Sequence, residues 1–406
     1  MNYNTENESL KASIASLAQI PESIRSMGAD ELDAELDRYR TRSASRTPHY
    51  RAADIREALA HGMRTGFGLP VANPHPLVAD MQRADKTIDL VQAAALAVEA
   101  RTGQRPEMYG DGFNTIQAAL TTADFPDLLK ETTNAFVRSR PSDDLALLQA
   151  VTRRIDVPNY KASVHTFATF EEVPTPDAHT SAQFNALKPR FSAEKAEIHT
   201  SSDLLLLSRQ ALTDDAFGVL DALAAGYVSS ALGVQVGMLA SLLEGALTLA
   251  DGDAWFADGV NSTTTALDAA GLNTVAALLR NQQREGGDKL DARASVLLVP
   301  ETHEYTALAL MQTLPAERRL GVVATARLSG DSWFLFADPA QHPAVARVLM
   351  QGAPASGVSF GSLRSAELWD AAQQRQVSFP GLGLEVSHSI AFAPLSRAGL
   401  VRCAFA

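Results

Sequence analysis

The longest hydrophobic pattern in this sequence covers residues 214–249, where apolar side chains recur every three or four positions. This spacing predicts one long helix or two abutting helices, and a single helix of that length would measure roughly 50 Å. Asp214 and Asp215 would then lie in its first turn, where carboxylates favour the helix dipole. We therefore predict a spine helix around which the rest of the chain is organised.

A membrane span is the alternative for this stretch, because residues 222–243 carry no charge and are long enough to cross a bilayer. The run is, however, rich in Ala, Gly and Ser, and its acidic flanks offer no Lys or Arg anchor. We interpret it as a buried, tightly packed helix. Gly226, Gly233 and Gly237 would mark places where another backbone approaches closely.

Helical spacing also dominates residues 1–110, which we predict to be a helical N-terminal extension. The predicted helices cover residues 8–20, 29–42, 52–61 and 77–101. Gly103 and Pro106 follow the last of them as a helix-stop signature. A further helix should begin between Thr122 and Pro126, with Asp124 as its cap, and another should cover residues 147–153.

The pattern then changes to strands. Residues 164–170 and 190–199 predict the two arms of an extended hairpin, interrupted by prolines and low in apolar content. A hairpin of this kind cannot bury itself, so it needs a partner surface. This is the first sign that the function depends on contacts between chains.

Strands and helices alternate in the last third of the chain, which predicts a small α/β domain followed by a return to the spine. The predicted helices cover residues 267–283 and 301–314, and the predicted strands cover residues 294–300, 320–324, 333–337, 344–351 and 377–406. Within the last segment, Gly381 and Gly383 are interpreted as a turn.

Charge and cysteine content exclude some classes of function for this protein. The 406 residues carry a formal net charge of -12, so the protein as a whole is not a polyanion binder. One basic cluster stands out near the N-terminus, and a solvated helical face explains it as simply as a nucleic-acid contact does. Its members are Arg38, Arg40, Arg42, Arg46, Arg51, Arg56 and Arg64. The polar start and the single cysteine, Cys403, predict a cytoplasmic protein without disulfides.

A search for chemistry finds no catalytic, cofactor or metal site. No phosphate-binding loop of the Walker type is present, and the GLGLEV segment at Gly381 lacks a third glycine and a following helix. His303 is flanked by Glu301 and Glu304, but a helix N-terminal surface explains that grouping as well as a metal site does. Cys403 has no partner that would activate it, so we expect a packed thiol.

A second group of polar residues does not match the pattern of any known catalytic site. Ser208, Arg209 and Gln210 precede the two aspartates of the spine, and no further group with catalytic chemistry is adjacent. We predict that the protein is not an enzyme.

The order of several sequence blocks resembles tailed-phage major capsid proteins, and most closely the Mu-like major head subunit family with the Hong Kong 97-type fold. The blocks are ALTTADFPDLL, EKAEIHTSSDLLLLSRQALTDDAFGVLDAL, AALLRNQQREGGDKLDARASVLLVPETHEYTA and WFLFADPAQHPAVARVLMQG, with the strand-rich segment between the first two. The resemblance covers roughly residues 115–402. The closing AFAPLSRAGLVR keeps only part of the family's usual ending.

This resemblance implies an α+β capsid fold and a specific division of the chain. The implied segments are a helical, scaffold-like extension (1–110), an N-arm (111–154), an E-loop (155–203), a P domain with the spine helix (204–253), an A domain (254–353) and return strands to the P domain (354–406). The extension has no counterpart in the blocks. A prohead protease removes such a segment in some related chains, and its Arg cluster would face the shell interior.

In that family the product is a shell in which hexamers and pentamers of one chain enclose packaged double-stranded DNA. The implied partners are therefore other copies of the chain, DNA on the inner face, and portal, scaffold or decoration proteins, with no membrane. The implied locations are the virion and, during assembly, the host cytoplasm. An encapsulin-like compartment and a soluble α/β enzyme are the alternatives. Nothing assigns a covalent crosslink to Lys161 or Lys188, which we expect to be solvated.

Overall fold

The computed structural model describes residues 52–76, 78–79, 89–102, 112–122, 124–170, 189–283, 289–370 and 375–406. By its internal contacts the chain divides into residues 1–55 and residues 56–406, and the description below concerns the second unit. The helices predicted over residues 8–20 and 29–42 lie outside the described residues, as do Lys188 and the first five arginines of the basic cluster.

Eight α-helices are described in these ranges. They are α1 Ala52–Gly66, α2 Leu90–Thr102, α3 Gly112–Leu120, α4 Asp124–Ser139, α5 Asp143–Val151, α6 Arg209–Glu244, α7 Ala269–Asn281 and α8 Glu304–Thr313. The helices predicted at residues 267–283 and 301–314 are confirmed, the latter with a short 3-10 turn, Glu301–His303, at its start. Helix α3 was not predicted. The predicted cap Asp124 is wrong, because Phe125 N donates to Thr122 Oγ1 at 3.4 Å instead.

Twelve strands are described in the same ranges. They are β1 Arg153–Val157, β2 Ser163–Phe170, β3 Pro189–Ala196, β4 His199–Ser208, β5 Ser262–Thr264, β6 Ala294–Pro300, β7 Gly321–Thr325, β8 Ser332–Ala337, β9 Val345–Met350, β10 Val358–Asp370, β11 Arg375–Pro394 and β12 Leu400–Ala404. The predicted hairpin is confirmed as β2 and β3, which pair with each other in an antiparallel ribbon. Strands β4 and β10 were not predicted.

Strand β11 is the centre of the first sheet. The sheet has the order β1-β9-β11-β10, and β4 pairs with β11 as well. The predicted turn at Gly381 and Gly383 is wrong, because both glycines pair with β4 in mid-strand. A Cβ on Gly381 would lie 2.1 Å from the carbonyl oxygen of Leu207, so a side chain there is incompatible with this pairing.

The second sheet has the order β5-β12-β8-β6-β7. Its β6 is buried along most of its length, as the continuous apolar run of residues 294–300 predicts. Strand β12 pairs with β5 and β8. The description of residues 354–406 as one segment returning to the spine therefore does not fit β12, which completes the other sheet.

The spine helix α6 is one continuous helix of 36 residues, which corresponds to roughly 54 Å. It begins and ends five residues before the predicted limits. Its start is fixed by Ser208, whose hydroxyl caps the helix by accepting a bond from Ala211 N at 3.2 Å. Its first turn contains no acidic residue. The placement of Asp214 and Asp215 in that turn is therefore wrong.

The expectation of a tightly buried spine is also wrong. Within the described residues, one stretch, Phe217–Glu244, is long and apolar enough to cross a membrane. Only 28% of the most apolar 18-residue part of this stretch is buried. A Cβ on Gly226 or Gly237 would meet no atom within 4 Å, and one on Gly233 would meet the Arg327 side chain at 3.1 Å. Among the described residues, these glycines mark no close approach of another backbone.

The buried side of α6 joins two hydrophobic cores. The first core packs its N-terminal half against α1 to α4 and against β4, β10 and β11. The second packs its C-terminal half against α5 and one face of the second sheet. Helices α7 and α8 cover the other face of that sheet, and a small fourth core lies around β9 and Ile198. The spine therefore fixes the two sheets relative to each other.

Two buried polar side chains stand out in these cores. Asn134 of α4 bonds both backbone groups of Phe360: its Nδ2 donates to the carbonyl at 2.9 Å, and Phe360 N donates to its Oδ1 at 3.0 Å. Arg347 of β9 is 1% exposed, and its Nε and Nη1 have no hydrogen-bond partner in the described part of the chain.

Candidate assembly surfaces

The candidate catalytic and metal-binding residues of the sequence do not form a catalytic or metal site in the described part of the chain. No group of three His, Cys, Asp or Glu side chains in the described ranges could hold a metal ion. His303 stacks on Phe405 with ring centroids 4.1 Å apart, so packing explains its position between two glutamates. Burial raises the pKa of Cys403 to about 12, which keeps this thiol protonated and unreactive at neutral pH.

The β2–β3 ribbon forms a two-stranded sheet of its own in the described part of the chain. It contains eight paired positions, and neither of its strands pairs with another described strand. At about 3.4 Å per residue the ribbon is about 25 Å long. An isolated two-stranded ribbon is marginally stable in water, so this one needs another surface to cover it.

The base of the ribbon is anchored in the subunit. Glu194 of β3 is 9% exposed, and its Oε1 accepts a bond from Ala250 N at 2.9 Å in the turn after the spine helix. Ala196 and Ile198 continue into the fourth core. The direction of the ribbon is thus set by the subunit. No pattern in the sequence indicates the bond from Glu194.

A second surface is an exposed stripe along the spine helix. Its positions recur every four residues, at Gly218, Ala222, Gly226, Ser230, Val234 and Met238, so the stripe winds around the helix. The stripe is uncharged, and Val234 is 55% exposed. The sequence contains its signal, a charge-free stretch with small residues at i+4 spacing. From the sequence alone, that signal indicates burial within one subunit.

Helix α8 presents a third exposed apolar group on the second sheet. Tyr305 is 84% exposed and Leu308 is 41% exposed, and they lie three residues apart on one side of the helix. The opposite side of α8 buries Ala307, Leu310 and Met311 against the sheet. The helix therefore has two apolar sides, of which the described chain covers one.

A groove of about 260 Å³ separates α4 and α5 from the spine helix. Apolar side chains form most of its wall, including Phe136, Leu145 and Leu232. Arg140 lies at its rim, where its guanidinium stacks 4.5 Å from the Phe136 ring centroid and pairs with Asp221 at 2.9 Å. The groove contains no arrangement of acid, base and nucleophile.

Comparison with known proteins gives one family. A family model described as phage capsid protein matches residues 193–402 of this chain, which is slightly more than half of its length. The match includes the spine helix, the second sheet and strands β9 to β12. No curated protein matches the chain.

Several solved structures show distant similarity. A structure of Microbacterium phage Oxtober96 shares 10% identity at a TM-score of 0.40, covering 66% of this chain and 92% of that one. The capsid of an empty GTA particle shares 13% identity at a TM-score of 0.41, covering 66% of this chain and 92% of that one. A virus-like particle from Pyrococcus furiosus shares 11% identity at a TM-score of 0.39, covering 69% of this chain and 100% of that one.

Proposed function

This chain belongs to the phage capsid protein family and is a structural protein of the phage capsid, and we propose that its copies close into an icosahedral shell of hexamers and pentamers around double-stranded DNA. The resemblance to tailed-phage major capsid proteins is confirmed, and the Mu-like subgroup stays a prediction. The shell forms in the host cytoplasm, and portal, scaffold or decoration proteins join it there.

The observation that carries this proposal is the β2–β3 ribbon, which is anchored at its base and pairs with no other described strand. A neighbouring copy supplies the surface that covers it. A contact of standard size buries about 1,600 Å² in total. Many such contacts repeated by symmetry stabilise a closed shell even when each is modest.

We assign the described elements to the parts that the resemblance implies. The ribbon is the E-loop within residues 155–203, α4 and α5 belong to the N-arm within residues 111–154, and α6 is the spine of the P domain. The second sheet, together with β12, forms the A domain. In this assignment the exposed side of α8, with Tyr305 and Leu308, faces a neighbouring A domain.

Two alternatives differ in what the particle contains. An encapsulin-like shell would enclose protein cargo, whereas a phage head encloses DNA, so nuclease-resistant DNA in purified particles favours the head. A soluble α/β enzyme would stay a small species and would gain thermal stability from its ligand. The family match favours the shell over the enzyme.

Shortening the ribbon should abolish shell formation without unfolding the subunit. In this variant a two-residue Asn-Gly turn replaces residues 168–191, which keeps the anchored base at Glu194. We expect an unchanged thermal midpoint and no megadalton particles by light scattering and negative-stain microscopy. Lys161→Ser, an exposed change beside the ribbon, is the matched control and should assemble like the parent.

Shells formed by the shortened variant would contradict the role given to the ribbon. The parent chain is measured first, because a capsid subunit can wait for a scaffold protein. A parent that stays monomeric with crowding agents, and also after removal of residues 1–51, would overturn the shell itself.

We propose that the removable part of the N-terminal extension, if a protease acts on it, ends before residue 56. Helices α1 and α2 contribute to the first core, where Leu59, Met63 and Leu90 are at most 1% exposed. Cleavage near Tyr109 would remove these side chains from the core and cost several kcal/mol. Arg56 and Arg64 of the basic cluster lie on α1 and would remain.

The mass of the chain recovered from particles tests this boundary. We expect either the intact 43.3 kDa chain or a product that begins before residue 56. A product that begins near Tyr109 would show that the helices α1 and α2 are dispensable after assembly, and it would contradict this boundary.

A further inference from the structure

A buried polar contact joins the spine helix, the first sheet and the loop between β9 and β10. Gln235 of α6 is fully buried, and its Nε2 donates to the carbonyl oxygen of Ser356 at 2.5 Å. The same Nε2 lies 2.9 Å from Nε2 of His388 on β11. Gln235 Oε1 has no hydrogen-bond partner among the described residues. We call these three groups the latch.

The latch requires a neutral histidine. Because the amide nitrogen of Gln235 is a donor, Nε2 of His388 must present its lone pair, and the ring proton must be on Nδ1. A proton added at Nε2 would place two donors 2.9 Å apart. The contact then breaks or the amide of Gln235 reverses.

Reversal of the amide does not restore the contact. Gln235 Oε1 would accept from the protonated ring, but it would also take the place of the nitrogen that lies 2.5 Å from the Ser356 carbonyl oxygen. Two acceptors at that distance repel each other, and a buried acceptor without a donor is costly. In either case Ser356 loses its bond to the spine helix.

We propose that protonation of His388 opens this latch and releases the β9–β10 loop from the spine helix, so that the contact between helix and sheet is sensitive to pH. Two backbone bonds flank Ser356 in this loop: Gly357 N donates to Pro354 O at 2.9 Å, and Ser389 N donates to Gly357 O at 3.0 Å. We expect both bonds to weaken when Ser356 loses its bond to the spine helix.

The charged and titratable groups around His388 come from two elements. Burial lowers the pKa of His388, and the charge of Asp203 on β4 offsets only part of this shift. Tyr227 of α6 donates to Asp203 Oδ2 at 2.7 Å, and burial followed by that bond raises its own pKa to about 12. On β10, Val358 pairs with His388 and carries no charge.

The sign of the pH effect follows from the lowered pKa. The unfolded chain takes up the proton near the ordinary value of about 6.5, before the folded chain does. The latch therefore contributes stability above about pH 6.5. That contribution is lost as the pH falls through the lower pKa of the folded state.

Amide hydrogen exchange of the full-length protein between pH 7.5 and pH 5.0, corrected for the intrinsic pH dependence, tests the latch. We expect protection of Gly357 and Ser389 to fall by about tenfold per pH unit between pH 6.5 and the lower pKa of His388 in the folded state, and to level off below it. His388→Gln should remove this fall. His199→Gln, an exposed histidine on β4 of the same sheet, is the matched control and should keep it.

A parent protein whose protection does not change with pH would overturn the proposal, and so would His388→Gln with an undiminished fall. If His388→Gln does not fold, Gln235→Leu decides, because it should lose protection already at pH 7.5 and show no further fall. If the protection of Gly357 and Ser389 in Gln235→Leu fell with pH as much as in the parent, the latch would be rejected. The test needs no assembled shell, so it fails or succeeds independently of the shell.

Discussion

Replacing Asn134 by leucine should lower the free energy of unfolding of the subunit by about 2 to 5 kcal/mol. Strand β10 is an edge of the first sheet, and the Asn134 amide takes the place of a further strand beside Phe360. Leucine would leave one buried N–H and one buried C=O without partners. Each such group costs about 1 to 3 kcal/mol. Urea unfolding followed by circular dichroism measures the change.

The matched control is the adjacent Thr133, which is fully buried on the same helix. Its hydroxyl bonds only to the carbonyl of Leu129 one turn earlier, and that carbonyl remains part of the helix after substitution. Thr133→Val should therefore cost less than about 1 kcal/mol. Equal losses in the two variants would show that the amide contact to β10 has no special weight.

Arg347→Met should have the opposite effect and stabilise the subunit by about 1 to 4 kcal/mol. Burial and, to a smaller extent, the charge of Arg154 lower the pKa of Arg347 to about 10, while Asp156 opposes the shift. The guanidinium thus stays charged at neutral pH in a core position, with two of its nitrogens unbonded among the described residues. Methionine fills a similar volume without a charge to desolvate.

Arg154→Met provides the comparison, because Arg154 is the cross-strand neighbour of Arg347 on β1. Its side chain is partly exposed and bonds Asp156 at 2.7 Å and the carbonyl oxygen of Ala353 at 2.9 Å. We expect a loss of up to about 1 kcal/mol, as for other exposed ion pairs. Thermal unfolding of both variants shows whether each substitution raises or lowers the stability of the subunit. A loss of stability in Arg347→Met would contradict the prediction and show that the buried guanidinium stabilises the subunit.

Elements with a strong local pattern could be predicted from the sequence. The spine helix, the hairpin arms and β6 follow from periodicity or from continuous apolar runs. The ends of these elements could be predicted less accurately. The start of α6 depends on the Ser208 hydroxyl, and the start of α4 depends on Thr122, whereas nearby aspartates offered equally good caps.

Features that depend on distant partners were missed or misread. Gly381 has the signature of a turn, but the approach of Leu207 from β4 makes it a strand position. The charge-free spine suggests burial within the subunit, but among the described residues a stripe from Gly218 to Met238 is left exposed. No short-range pattern distinguishes burial within a subunit from burial between copies.

The pairing of β1 with β9 also affects how fast new subunits become available. Residue 153 pairs with residue 346, so most of the chain between them must be arranged before this edge of the sheet closes. Closing so long a loop is entropically costly, which makes folding slow. Until it closes, the apolar β9 is an open edge that attracts other unfinished chains. The yield of shells should therefore depend on the rate of synthesis, with slower production at lower temperature favouring particles over aggregates.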